Sequence, residues 1–196
     1  MDLYEVSQQY VSYLRKFDSK VLSNSGDKGN RKYIGIIVKR GKYNYIVPLS
    51  SPKYPSDFTI DGYTGTHLPP DFSFGNYESK IHMQKSTSEP VIYMTSTTAK
   101  GTDFFGKIKC SSMIPVPVSE LTKIDVNHEP DSAYKALLFK QINFIRTNEI
   151  DIVKKHVNVV YYNKINNIPK GYVIKATVDF ALLEQKCDEW EASHKS

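Results

Sequence analysis

The chain has 196 residues, 40% of them hydrophobic, and its 26 Lys and Arg against 21 Asp and Glu give a net charge of +5. This length and composition are sufficient for one well-buried core, so we expect a single domain over residues 1–196. The two cysteines show no C-x-x-C spacing and are too few for a disulfide scaffold, so we predict reduced thiols. There is no apolar signal-peptide core and no run of about 18 apolar residues, so we expect a cytoplasmic protein without a membrane span.

The first predicted elements are a helix and a β-hairpin. Apolar residues at helical spacing predict a helix over residues 7–17 with Ser7 as its N-cap. A Gly-, Asn- and Ser-rich stretch, 23–30, predicts a loop. Two β-rich runs, 33–38 and 43–49, then meet at Arg40-Gly41, which is typical of a hairpin.

The middle of the chain, residues 55–106, is rich in Pro, Gly, Ser and Thr but also in aromatic residues. We therefore predict an ordered, loop-rich insertion rather than a disordered linker, with a short strand at 91–95. Strand segments follow at Ile108 and over 113–118, where two prolines favour an edge position.

The last third of the chain predicts a long helix, a strand and a closing helix. Asp131 or Ser132 caps the long helix, whose predicted apolar side consists of Tyr134, Leu137, Leu138, Phe139, Ile142, Ile145 and Ile152. Residues 171–178 are predicted as a strand and 180–190 as a helix. The order of elements lacks a regular βαβ alternation, so we predict an α+β fold with a mostly antiparallel sheet.

Positive charge is concentrated between Lys28 and Ser56, where seven Lys or Arg residues, including Lys39, occur without an Asp or Glu. A locally basic face on a nearly balanced chain suits a polyanionic partner such as a nucleic acid. The alternative is an ordinary solvated face.

The segment Ser50-Ser51-Pro52-Lys53 ends the predicted hairpin and is the main candidate for chemistry. Hydroxyl groups can donate hydrogen bonds to a phosphate oxygen, and a lysine can neutralise charge that develops on a phosphorane. Pro52 would stiffen the turn after Ser51. The alternative is a plain polar turn after a strand.

The long helix is the second candidate surface, because residues 132–148 contain basic residues and no acid. The residues predicted to face a phosphate backbone are Lys135, Lys140, Gln141, Asn143, Arg146 and Asn148. An amphipathic helix with a basic outer face is the alternative.

Several common catalytic classes lack their sequence patterns. The five histidines are far apart, and no Asp/Glu cluster of a two-metal nuclease occurs, so we predict neither a metal site nor a cofactor. The chain also contains no G-x-S-x-G, P-loop or G-x-G-x-x-G motif.

Four blocks of the sequence resemble the endoribonuclease toxins of type III toxin–antitoxin systems, the ToxN/AbiQ family, with CptN and TenpN relatives. A weaker fifth block lies at Phe180 and Leu182-Leu183-Glu184. The four are Tyr4 to Val21 with Tyr10, Tyr13-Leu14 and Phe17-Asp18; Ile34-Gly35-Ile36 to Pro48-Leu49-Ser50-Ser51-Pro52-Lys53; Met113-Ile114-Pro115; and Tyr134-Lys135 to Lys140-Gln141 and Phe144-Ile145-Arg146.

This resemblance implies a strongly twisted antiparallel sheet with flanking helices, loosely like the Kid/MazF toxins. It implies a bacterial, sequence-specific, metal-independent endoribonuclease that leaves a 2′,3′-cyclic phosphate on cellular or phage mRNA. The implied partner is a small repeated antitoxin RNA, folded as a pseudoknot, that inhibits the toxin and bridges toxin and RNA into an oligomer.

The resemblance also implies roles for individual residues. Ser50, Ser51 and Lys53 occupy the essential loop, and Arg31, with Lys32 adjacent, occupies the position of an essential basic residue before the hairpin. Lys32 or one of the loop hydroxyls is the predicted general base, within a cationic cluster that includes Lys28. Two alternatives stay open: a non-catalytic RNA-binding module, and a MazF-like ribonuclease inhibited by a protein antitoxin.

Overall fold

The computed structural model describes residues 2–23, 33–168 and 175–194. Its strands are β1 (Tyr4–Val6), β2 (Tyr33–Arg40), β3 (Tyr43–Ser50), β4 (Phe58–Ile60), β5 (Ile81–Met83), β6 (Val91–Thr98), β7 (Gly101–Lys109), β8 (Ile114–Pro115) and β9 (Leu121–Lys123). Its helices are α1 (Gln8–Arg15), α2 (Phe74–Tyr77), α3 (Ser132–Phe144), α4 (Ile150–Ile165) and α5 (Phe180–Ser193).

The main sheet has the strand order β6-β7-β3-β2-β1-β9, and β8 pairs with β3 beside the end of β7. All pairs described in this sheet are antiparallel. Arg40 pairs with Tyr43, so the β2–β3 turn contains only Gly41 and Lys42, and Gly41 adopts a φ of +57° that a glycine accommodates without strain. The predicted hairpin and the predicted α+β class are confirmed, whereas the likeness to Kid/MazF toxins stays a prediction.

Helix α1 matches its prediction closely. The Ser7 side chain accepts a hydrogen bond from the Tyr10 backbone N–H, which satisfies one of the free donors at the start of the helix. Tyr10 and Leu14 are fully buried, and the Tyr10 hydroxyl donates to the Pro115 carbonyl at 2.9 Å. These contacts fix the helix across the sheet.

The long predicted helix is a continuous helical run in which a π-helical segment, Ile145–Glu149, joins α3 to α4. Asp131 is the N-cap residue and accepts from two backbone N–H groups. A π turn contains one more residue than an α turn, so it rotates the apolar face for the residues that follow. For this reason Val153 is buried, and the prediction that Ile152 lies on the apolar side is wrong. Phe139 also lies 40% exposed.

The predicted strand at 171–178 is wrong for the part that the structure describes. Residues 171–174 lie outside the described residues, residues 175–176 are helical, and residues 177–179 belong to no strand. Thr177 and Val178 are both buried, and Asp179 caps α5 through the Leu182 backbone N–H. Consecutive buried residues before a helix cap give the same apolar sequence pattern as a buried strand, although here they form no strand pairing.

A second, aromatic core lies apart from the main one. The predicted insertion contains the small β4–β5 sheet, α2, all of β6 and most of β7, and the predicted strand at 91–95 is confirmed within β6. Phe58 packs against Phe104, and Tyr93 packs against Phe104 as well. The β4–β5 segment therefore covers the β6–β7 hairpin and is anchored to it by aromatic side chains.

Among the helices that the structure describes, none has the length and apolar character that a membrane span requires.

Candidate active site

The Ser50–Lys53 loop begins where β3 leaves the main sheet. Ser50 is the last residue of β3 and pairs with Lys107 of β7. Its Oγ is buried and has no hydrogen-bond partner among the described residues, while Ser51 and the Lys53 side chain are exposed. The loop therefore contains one buried hydroxyl, one exposed hydroxyl and one ammonium group at the C-terminal end of β3.

Asp57 holds this loop in place. Its Oδ2 accepts a hydrogen bond from the Lys53 backbone N–H at 2.7 Å, and its own backbone N–H donates to the Lys53 carbonyl at 2.7 Å. Two reciprocal hydrogen bonds close the turn from Lys53 to Asp57, so the position of the Lys53 backbone depends on a carboxylate that is only 4% exposed.

A buried ion pair neutralises that carboxylate. The Lys107 ammonium lies 2.5 Å from Asp57 Oδ2, and the Tyr93 hydroxyl donates to Asp57 Oδ1 at 3.0 Å. Burial opposes ionisation of Asp57, but the hydrogen bonds from Lys107 and from the Lys53 backbone outweigh it, and the pKa of Asp57 is lowered. The loop is thus tied through Asp57 to β6 and β7.

Lys109 is the next lysine on the same strand. Side chains two residues apart on a strand point to the same face, so Lys109 lies on the face of Lys107 and of its partner Ser50. Burial lowers the pKa of Lys109, and the positive charges of Lys107 and Lys53 lower it further. The positive charge of Lys53 therefore acts on Lys109.

The opposite side of β7 is supported by the long helix. Gln141 of α3 donates a hydrogen bond to the Phe105 carbonyl at 2.8 Å and is only 5% exposed. Next to it, Gly106 has a φ of +148°, and a Cβ there would lie 2.7 Å from Gln141 Nε2 and 3.4 Å from the Ser50 carbonyl. Gln141 does not lie on an outer face, because its amide satisfies the backbone of the strand that pairs with Ser50.

The other predicted RNA-binding residues of the helix are dispersed along its surface. Lys140 forms an ion pair with Asp103 at 2.6 Å, and the Lys135 ammonium donates to the Asn127 carbonyl at 2.5 Å. Arg146 is exposed within the π-helical segment and lines a groove of about 460 Å³ together with Lys123 and Phe139. Their roles in RNA binding stay predictions.

The basic window around the hairpin is used partly for folding. Arg40 stacks on the Tyr161 ring at 3.7 Å, and Lys42 forms an ion pair with Asp188 at 2.8 Å, so both attach the hairpin turn to α4 and α5. Lys39 is exposed on β2. The remaining predicted residues of the window, Lys28, Arg31 and Lys32, lie outside the described residues.

Three residues of this site were not singled out in the sequence: Asp57, Lys107 and Lys109. A signal for two of them exists, because the K-I-K spacing of Lys107 and Lys109 places two lysines on one face of a strand. No comparable signal exists for Asp57, whose partner Lys107 is 50 positions away.

The site offers hydroxyl donors and cations rather than metal ligands. Within residues 2–23, 33–168 and 175–194, no group of three or more His, Cys, Asp or Glu side chains is arranged to hold a metal ion. Both cysteines are buried, and burial raises the pKa of Cys110 to about 12 and that of Cys187 to about 11. Such thiols are poor nucleophiles at neutral pH.

The chain is similar over nearly its whole length to proteins that are already known. Endoribonuclease ToxN of Pectobacterium atrosepticum is 27% identical over 189 residues, which cover 95% of this chain and 91% of that protein. A type III toxin whose solved structure concerns selective inhibition by a non-coding RNA pseudoknot matches with a TM-score of 0.68 at 25% identity, over 97% of both chains. The structure of AbiQ, a lactococcal anti-phage endoribonuclease, matches with a TM-score of 0.69 at 23% identity, over 97% of this chain and 98% of that one.

The family model of the toxin ToxN of type III toxin–antitoxin systems matches residues 2–188. That range contains the Ser50–Lys53 loop, its Asp57–Lys107 support and all of α3 and α4. The chain therefore belongs to the ToxN family of type III toxin–antitoxin toxins.

Proposed function

We propose that this chain, an endoribonuclease of the ToxN family, cleaves RNA at specific sequences without a metal ion and leaves a 2′,3′-cyclic phosphate. The observation that supports this most directly is the Ser50–Lys53 loop. At the C-terminal end of β3 it contains a buried hydroxyl without a partner among the described residues, an exposed hydroxyl and an ammonium group, on a turn closed by Asp57.

In the proposed reaction the ribose 2′-oxygen attacks the adjacent phosphorus and the bond from phosphorus to the 5′-oxygen breaks. The hydroxyls of Ser50 and Ser51 donate to the phosphate oxygens, and Lys53 offsets the negative charge that grows on the phosphorane. A general base takes the 2′-hydroxyl proton, a role that we assign to Lys32 in its neutral form. The nucleophile belongs to the RNA, so DNA is not a substrate.

We further propose that a small antitoxin RNA inhibits the chain by covering the same face. A folded RNA needs several cations for phosphate contacts, and we assign these contacts to Lys39, Lys135, Lys140 and Arg146. Pseudoknot repeats of this RNA would bridge toxin chains into an oligomer. The substrate class is cellular or phage mRNA, as suits a toxin of a phage-defence system.

The decisive experiment compares Ser51→Ala with Ser96→Ala, which removes an exposed hydroxyl at the far end of β6. Each purified variant is incubated with a long RNA transcript in EDTA, and the fragments are mapped. We expect Ser51→Ala to lower the cleavage rate about 10²-fold or more, as for removal of one preorganised donor, and Ser96→Ala to cut like the wild type.

The same reactions test the chemistry. The upstream fragment should resist phosphatase until acid opens its cyclic phosphate, and a 2′-O-methyl RNA should stay intact. Cleavage that requires added Mg²⁺, or cleavage of the 2′-O-methyl RNA, contradicts the proposed mechanism. RNA binding without any cleavage by the wild type would favour the alternative of a non-catalytic RNA-binding module.

A further inference from the structure

The positive charges beside the loop are not balanced within the described part of the chain. Lys107 and Asp57 form a neutral pair in the interior. Lys53 and Lys109 then contribute two further cations, and neither ammonium has a carboxylate within ion-pair distance among the described residues. Lys109 is half-buried, and an uncompensated charge at a half-buried position is unfavourable.

The Ser50 hydroxyl, which has no hydrogen-bond partner among the described residues, lies on the strand next to that of Lys109. Ser50 is the direct partner of Lys107 in the ladder, and Lys109 is two residues further along β7. Diagonal neighbours of this kind are about 7–8 Å apart, which the long side chain of a lysine spans. Ser50 Oγ is buried and lacks a hydrogen-bond partner among the described residues. The side chains of Ser50 and Lys109 thus lie on one face of adjacent strands, and the described residues supply no partner for the Ser50 hydroxyl.

An anion completes such a site. Phosphate oxygens accept hydrogen bonds and carry the negative charge that Lys53 and Lys109 lack. We propose that Lys109 is a further catalytic residue, which contacts a non-bridging oxygen of the scissile phosphate together with Ser50 and Lys53. This assignment rests on the proposed ribonuclease function and adds a residue to it.

The assigned role is electrostatic. When the 2′-oxygen bonds to phosphorus, the phosphodiester monoanion becomes a dianionic phosphorane, and a second fixed cation stabilises it more than it stabilises the ground state. Lys109 transfers no proton. The 2′-hydroxyl proton goes to the general base, and the departing 5′-oxygen takes a proton from water.

Lys107 has a different role, although it is the nearer neighbour of Ser50 in the ladder. Its ammonium lies 2.5 Å from Asp57 Oδ2, so its charge is already compensated by that carboxylate. Lys107 positions the loop through Asp57, whereas Lys109 is the cation available to substrate.

The protonated form of Lys109 is the active one in this scheme. The charged groups that face it are Lys107 on its own strand and Lys53 and Asp57 on the loop. Burial and the two lysines lower its pKa, so Lys109 loses its charge at a lower pH than an exposed lysine. Cleavage should therefore decline on the alkaline side as Lys109 deprotonates, and Lys109→Arg should move that decline to higher pH.

The test uses the full-length wild type, Lys109→Met, Lys109→Arg and the control Lys100→Met, which removes an exposed lysine at the turn of the same hairpin. Single-turnover cleavage of a short RNA with one mapped cut site is measured across pH. We expect Lys109→Met to lower the rate constant about 10²-fold with a smaller change in RNA affinity, Lys109→Arg to restore most of it, and Lys100→Met to match the wild type.

Inorganic phosphate provides a readout that does not depend on cleavage. We expect phosphate to raise the melting temperature of the wild type and of Lys100→Met more than that of Lys109→Met. If Lys109→Met does not fold, the pH profile and phosphate response of Lys109→Arg test the assignment instead. The assignment is overturned if the alkaline decline in the cleavage rate of Lys109→Arg occurs at the same pH as in the wild type.

The outcomes separate this inference from the proposed function. Normal cleavage and an unchanged phosphate response in Lys109→Met overturn the role of Lys109 and leave the ribonuclease function standing. A wild type that cuts no RNA but is stabilised by phosphate in a Lys109-dependent manner overturns the ribonuclease function and supports the anion site.

Discussion

The buried pair of Asp57 and Lys107 gives the most quantitative prediction. Asp57→Asn leaves the Lys107 ammonium 8% exposed and without a carboxylate, and Lys107→Met leaves the Asp57 carboxylate 4% exposed and without a cation. Removal of one partner of a buried ion pair costs about 3–5 kcal/mol in the free energy of unfolding. For a chain of this length, that loss lowers the melting temperature by roughly 6–20 °C.

The double variant distinguishes a coupled pair from two independent residues. With both charges removed, no ion is left uncompensated, so the loss should be smaller than the sum of the two single losses by about 1–3 kcal/mol. The assay is urea unfolding of the four proteins at pH 7. The matched control is Asp151→Asn, because Asp151 forms an exposed ion pair with Lys154 and should change the free energy of unfolding by less than about 0.5 kcal/mol.

The pH dependence follows from the same pair. The pKa of Asp57 is lowered in the folded state, below an unfolded value of about 3.9. The pair therefore contributes stability above that pH, and the contribution is lost as pH falls through the folded-state pKa. Asp57→Asn should flatten the decline in stability below about pH 4.

Activity provides a second measurement, since Asp57 also holds the Lys53 backbone. Asp57→Asn should lower the cleavage rate under conditions where the variant is fully folded. The reasoning is refuted if both single variants unfold at the wild-type urea midpoint, or if the two single losses add up to the loss of the double variant.

Three further predictions concern the surroundings of the loop. Gly106→Ala should destabilise the fold by about 1–3 kcal/mol, because of its positive φ and the close Gln141 amide, whereas Gly75→Ala meets no atom within 4 Å and should be neutral in the same urea assay. Gln141→Leu should cost about 1–3 kcal/mol by leaving the Phe105 carbonyl unsatisfied, whereas Asn143→Ala on the exposed face should not. Changing Lys135, Lys140 and Arg146 together to Gln should weaken antitoxin RNA binding. It should also reduce the slope of log affinity against log salt concentration by up to about three units, and unchanged binding across the salt range would contradict the proposed surface.

Local patterns were enough to predict several elements of the fold. The helix over 7–17, the β2–β3 hairpin and the closing helix follow from apolar spacing, a capping residue and a glycine turn, all of which act within a few residues. The block from Pro48 to Lys53 was predicted as a site because its hydroxyls and its lysine are adjacent in sequence. The family resemblance, carried by residues in the same blocks, is confirmed as well.

Tertiary structure alone decided how those residues are supported. The π-helical segment rotated the long helix and exposed Ile152, and Val178 was buried without a strand, because both outcomes depend on packing partners far away in sequence. Asp57 and Lys107 are 50 positions apart, and their pairing requires the β4–β5 segment to cover the β6–β7 hairpin. Sequence therefore determined which groups the loop contains, while long-range burial determined that Lys107 beside it is neutralised by Asp57.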